Sequence, residues 1–173
     1  MKDTLQLVQA VLVTTPGRWV TMTQSIPPPL LHRAPVTGEW SALECLQHLV
    51  DTEQSVFPAR VTCLLEGRDF PAFDPDSEGT KVDGTADALA LANEFNRLRQ
   101  QSLALLDQLK PADLPRTARH QELGPVTLDQ LLHEWAAHDL MHTVQAERSL
   151  MQPFIEGCGP WRPYFADHVA SKP

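Results

Sequence analysis

TLDQLLHEWAAHDLMHTVQ, residues 127–145, places three histidines on what reads as one helix. Thr127 and Gln130 have the spacing of a capping box, in which the first side chain accepts from the third helical N–H and the third side chain reaches back. Leu128, Leu131, Leu132 and Trp135 then recur at helical spacing and define an apolar stripe. His138 and His142 continue that stripe, whereas His133 falls to one side of it and is expected at the surface.

HEWAAH resembles the zinc-protease pattern HExxH, but the spacing is five. At about 100° per residue, His133 and His138 lie roughly 140° apart, too far around a straight helix to share an ion. His138 and His142 are four residues apart, about 40° around the axis and one turn along it, so their imidazoles can converge. Two readings stand for this inward pair: core histidines satisfied by ordinary hydrogen bonds, or two ligands of one metal ion.

Working outward, His48 is the candidate third member. It lies on a helix that opens with a second capping box, Ser41 and Glu44, with Trp40 and Cys45 placed for a hydrophobic staple. The stripe Ser41, Cys45, His48, Thr52, Ser55 is small and polar beside the apolar Ala42, Leu46, Leu49 and Val56, which suits a wet pocket. Three neutral imidazoles leave coordination positions open for water or substrate, as in catalytic zinc sites, and suit zinc, nickel, copper or iron.

The remaining periodic segments are also helical. One runs from about Thr4 to Val13, with Thr15-Pro16 as cap and first-turn proline of a continuation to about Gln24. IPPPLLHRAPVTGEW (26–40) reads as a loop because consecutive prolines remove donors. The His48 helix is expected to reach Leu65 with a kink at Pro58. A third helix follows Thr85 as its cap and stops before Pro111, and the helix from Thr127 ends near Leu150, ahead of Pro153. A short further element occupies 161–170. No two-residue alternation demands a sheet. The expected fold is all-α: one domain, 1–173, an antiparallel four-helix bundle with a short C-terminal extra helix.

Acidic residues outnumber basic ones 22 to 14, for a net charge of -8. An acidic chain with no Lys/Arg cluster has little to neutralise phosphates, so no nucleic-acid partner is expected. The N-terminal apolar run is broken by Gln6 and Gln9, too short and polar for a membrane span, and no membrane partner is expected. Cys45, Cys63 and Cys158 are odd in number and widely spaced, consistent with reduced thiols in a cytoplasmic protein. No GxSxG elbow, P-loop or dinucleotide fingerprint occurs.

GEWSALECLQHLVDTE (38–53), followed by GPVTLDQLLHEWAAHDLMHTVQ (124–145), resembles the DinB/YfiT-like superfamily. The order and spacing of the two segments carry the likeness, together with the FPAFDPD loop between helices two and three. The resemblance implies a four-helix bundle, a three-histidine divalent-metal site of His48, His138 and His142 holding zinc or nickel, and a homodimer. It further implies a small-molecule substrate and an enzyme using a low-molecular-weight thiol, bacillithiol or mycothiol, for S-transfer. Metal-dependent hydrolysis is the alternative, and a non-catalytic metal- or ligand-binding bundle the third.

Lesser candidates surround the histidines. Asp139 either supports a ligating ring by hydrogen bonding or pairs with an arginine on a neighbouring helix. Glu44 is a capping residue first. Cys45 reads as an inert buried thiol before a ligand. DPDSEGTKVDGT (74–85) imitates a calcium loop, but Thr85 stands where the bidentate glutamate belongs, so an acidic surface loop near the pocket mouth is expected.

Overall fold

The computed structural model describes residues 4–74, 82 and 85–170. The expected calcium-like loop therefore lies largely outside the described residues. Among the described residues seven α-helices carry the fold: α1 (Thr4–Leu12), α2 (Thr15–Ser25), α3 (Pro28–Leu31), α4 (Ala42–Ser55), α5 (Phe57–Glu66), α6 (Ala88–Leu106) and α7 (Leu128–Gly157). A hairpin of β1 (Thr117–His120) and β2 (Gly124–Thr127) precedes α7, and a 3-10 segment, Gly159–His168, follows it. Among the described residues no helix is long and apolar enough to cross a membrane.

Both capping boxes form. Glu44 N donates to Ser41 Oγ at 3.2 Å, and Ser41 N donates to Glu44 Oε2 at 2.7 Å. Gln130 N donates to Thr127 Oγ1 at 3.1 Å, and Thr127 N to Gln130 Oε1 at 2.8 Å. Pro58 acts more strongly than a kink. The chain breaks at Val56 (φ -109°, ψ -71°), and α5 restarts with Pro58 in its first turn, where the missing N–H costs nothing.

Other expectations are corrected. The cap of α6 is Asp87, not Thr85: its Oδ1 accepts from Leu89 N at 3.0 Å and Ala90 N at 3.2 Å. Thr15 is already helical, and its hydroxyl donates back to Val11 O at 3.2 Å instead of capping α2. The prolines at 27–29 include one helical turn, α3, because Pro28 and Pro29 occupy first-turn positions that need no donor. α7 runs through Pro153 to Gly157. Tertiary contacts hold this last stretch: Ile155 is buried, and the Gln152 amide donates to His168 O at 2.9 Å while accepting from Ala170 N at 2.9 Å. The hairpin was missed altogether. Four-residue strands with one turn carry too little alternation to register, and β1 gains an outer partner only when Phe70 bridges to His120.

The core is two apolar clusters with a polar layer between them. Leu5, Val8, Leu12, Phe57, Val61, Leu106, Leu131 and Trp135 belong to one cluster. Trp19, Leu43, Leu46, Leu49, Phe95, Leu98, Ala146 and Leu150 belong to the other. Along α7 the interval between Trp135 and Ala146 holds His138, Asp139, His142 and Thr143. Along α4 the residues before Phe57 are His48, Thr52 and Glu53, and α6 contributes Arg99 and Ser102. Polar groups at this depth require partners, and the way they are satisfied defines the site.

Candidate metal centre

α4 and α7 bring His48, His138 and His142 together. One ring nitrogen from each lies within 4.8 Å of the others. His48 Nε2 and His138 Nε2 are 2.9 Å apart. Two nitrogens each about 2.1 Å from one ion at right angles are separated by about 3 Å, so this spacing accommodates a shared cation. His48 and His142 are buried, and the ring of Trp40 stacks over His142 at 5.6 Å and meets His48 at 5.0 Å. Trp40 thus covers the histidines besides serving the start of α4.

The second ring nitrogens of His142 and His138 are held differently. His142 Nδ1 donates to Gln145 Oε1 at 2.9 Å, which leaves Nε2 with its lone pair free to coordinate. His138 Nδ1 is buried with no hydrogen-bond partner among the described residues. The 2.9 Å between His48 Nε2 and His138 Nε2 fits a shared proton as well as a shared ion, and the donor set of three imidazoles fits a divalent first-row ion.

Burial also sets protonation. It pushes the His48 imidazole down to about 4, with His142 adding to the shift, and it lowers His138 further. His142 is lowered by burial too, against the opposing pull of Gln145 and Asp139. All three are neutral near pH 7, the state that coordinates metal. The unfolded imidazoles take up protons near 6.5, well before the folded ones, so stability is full above that pH and declines as pH falls toward 4. His48 alone is expected to cost the chelator-treated protein about 2 kcal/mol between pH 7.5 and pH 5. Denaturant midpoints at the two pH values measure it; equal midpoints would refute the effect.

Asp139 does not support a histidine ring; it pairs with an arginine, the second of its two expected roles. Arg99, wholly buried on α6, uses all five of its N–H donors. Nη1 donates to Asp139 Oδ2 at 2.6 Å and to Leu12 O at 3.0 Å, and Nη2 to Asp139 Oδ1 at 3.0 Å. Nε and Nη2 each donate to Glu53, at 2.8 Å. Trp135 Nε1 completes Glu53 at 3.2 Å. One guanidinium thereby ties α1, α4, α6 and α7 together directly beneath the histidines. Its signal in the sequence is an arginine within the stripe Phe95, Arg99, Ser102, Leu106. Gln145, three residues past His142, is the supporting group that sequence reasoning overlooked.

His133 stands apart, as its helical phase requires. Its side chain is 57% exposed, and Nδ1 bonds Asp129 O at 2.8 Å. His133→Ala is expected to leave metal content unchanged, measured by elemental analysis; a large loss would mean that His133 contributes a ligand. Glu44 is engaged in its cap, and the structure does not bring Cys45 into the convergent set. Cys45 is fully buried among apolar neighbours, and burial raises its thiol to about 12, so it is an inert thiol.

Beside the histidines lies a cavity of about 400 Å³, whose walls include Phe57, Arg60, Phe73, His120 and Met141. That volume falls in the range of small-molecule sites. The chain matches the DinB superfamily over residues 12–146. It belongs to that superfamily. Among curated proteins no sequence matches it. Among solved structures it is similar to YfiT from Bacillus subtilis, a probable metal-dependent hydrolase with an unusual four-helix bundle topology. The TM-score is 0.73 at 20% identity, over 87% of each chain. At that identity the likeness speaks for the fold: this DinB superfamily member is a four-helix bundle of the YfiT kind.

Proposed function

We propose that this DinB superfamily chain, as one domain with an antiparallel bundle, is a metal-dependent enzyme that uses His48, His138 and His142 to hold a divalent ion and activate water. The observation that carries this reading is the convergence of three neutral imidazoles from two helices. A divalent ion held there supplies a Lewis acid that lowers the pKa of a coordinated water or thiol. The chain's own residues do the rest. Gln145 orients the His142 ring, Trp40 covers the ligands, and Phe57 and Phe73 line the adjoining cavity with apolar surface that limits access of bulk water.

Hydrolysis is placed ahead of thiol S-transfer, reversing the order expected from the resemblance, because the fold relative is a probable metal-dependent hydrolase. Transfer of bacillithiol or mycothiol finds no support in the pocket and stands as the other outcome of the test. Protein loaded with zinc or nickel is assayed on a panel of esters and amides, and in parallel on an electrophile with each thiol. Metal-dependent turnover of the first panel supports the reading; turnover of the second alone overturns it in favour of S-transfer. Absence of both, with no stoichiometric metal, leaves a packing role for the histidines.

The net charge of -8 supports a small-molecule partner over nucleic acid. No saturable binding of a random duplex is expected at physiological salt, and salt-sensitive binding in a fluorescence titration would contradict this. A homodimer is supported by Leu140, Val144 and Phe154, which are exposed along one side of α7.

A further inference from the structure

The same cavity is also lined by Arg60 on α5 and His120 at the end of β1. Both residues are buried, at 9% and 8% exposure. Arg60 Nη2 and His120 Nε2 are 3.5 Å apart, which at first sight is a hydrogen bond. The other nitrogen of His120 decides otherwise. His120 Nδ1 accepts from two backbone donors of the hairpin turn, Glu122 N at 3.1 Å and Leu123 N at 3.3 Å. An Nδ1 that accepts carries no proton, so the neutral ring carries its proton on Nε2. A guanidinium has no acceptor at all. Two donors therefore face each other across 3.5 Å, and neither can satisfy the other.

We propose that Arg60 and His120 form a carboxylate-binding cradle, so that the substrate processed beside the three histidines is a small carboxylic acid anion. The surroundings agree. Arg99, the other buried arginine, is matched by two carboxylates at hydrogen-bond distance. Among the described residues Arg60 meets Pro71 O at 3.3 Å and, as its sole carboxylate, Glu134 at 4.0 Å, a group 54% exposed to solvent. A buried guanidinium so poorly compensated favours an incoming anion. Its planar fork beside one further N–H matches the two oxygens of a carboxylate. Phe70 holds both donors in place, with the Arg60 guanidinium 5.4 Å over its ring and His120 edge-on at 5.5 Å. Burial lowers the Arg60 pKa and Glu134 opposes the shift; an arginine remains charged at pH 7 all the same.

This inference rests on the proposed metal reading only for what happens at the three histidines, and the test separates the two. Acetate, benzoate and succinate are titrated into chelator-treated wild-type protein by calorimetry, with benzamide as the neutral isostere of benzoate and inorganic phosphate as the tetrahedral anion. At least one carboxylate is expected to bind, with benzamide at least tenfold weaker than benzoate if benzoate is the one. Arg60→Met keeps the stem volume and is expected to lose at least tenfold in affinity, as is His120→Phe. His48→Ala, which removes only a proposed metal ligand, is expected to retain carboxylate affinity. The cradle is overturned if no carboxylate binds the wild type more tightly than Arg60→Met, or if phosphate binds and carboxylates do not. An independent readout needs no variant to fold: long-range nitrogen-15 NMR of the wild type is expected to show His120 as the Nε2–H tautomer, and an Nδ1–H ring would remove the donor on which the cradle depends.

Discussion

Replacing His48, His138 or His142 with alanine is expected to abolish stoichiometric metal binding, each to a similar degree. His138 and His142 are preorganised one turn apart on α7, and His48 arrives from α4 to complete the set. Any single loss leaves two imidazoles, too few for tight binding of a first-row divalent ion without further help. A ligand that binds only the folded protein at about a hundred times its Kd adds about 2.7 kcal/mol. For a chain of this length that corresponds to a rise in Tm of roughly 5–10 °C. The wild type is therefore expected to show such a rise when zinc or nickel is added after chelation, and the three variants to lose most of it. Thermal melts with and without metal, together with elemental analysis, measure both quantities. If the variants keep full metal content and the full rise, the three histidines are core packing and the enzyme reading falls with them.

The largest loss of stability is expected from Arg99→Met. The substitution approximates the volume of the aliphatic stem but leaves Glu53 and Asp139, each about 1% exposed, as buried carboxylates without their cation. Breaking a buried ion pair by removing one partner costs about 3–5 kcal/mol. The leucine carbonyl at position 12 loses its donor as well. A fall in Tm of about 10 °C or more is expected in the metal-free protein. The triple variant Arg99→Met, Glu53→Gln, Asp139→Asn removes the stranded charges and is expected to recover part of the loss. Equal Tm values for wild type and Arg99→Met would show that the network contributes no net stability. Should Arg99→Met fail to fold at all, recovery of a cooperative melt in the triple variant carries the same conclusion.

The two effects arise in one polar layer but were unequally visible beforehand. Helix phase is local: a 3.6-residue period and two capping boxes are written within a few residues of the histidines. From that alone His138 and His142 share a face, His133 is excluded, and His48 falls on a polar stripe of another helix. The bundle class follows from the same periodicity, and the structure agrees on all of these placements.

Partner choice is not local. Asp139 could serve a histidine or an arginine, and only the packing of α6 against α4 and α7 brings Arg99 within 2.6 Å and decides it. The same holds for the hairpin. Strands of four residues have no stability until they pair, so nothing in TARH or GPVT announces them. Yet it is the hairpin turn that offers two backbone donors to His120 and turns its other nitrogen toward Arg60, sixty residues away in the chain. The sequence by itself determined which side chains face inward, because that depends on the repeat of one helix. Tertiary structure alone decided which inward groups meet, because a buried polar atom takes its partner from whichever element packing places within hydrogen-bond reach.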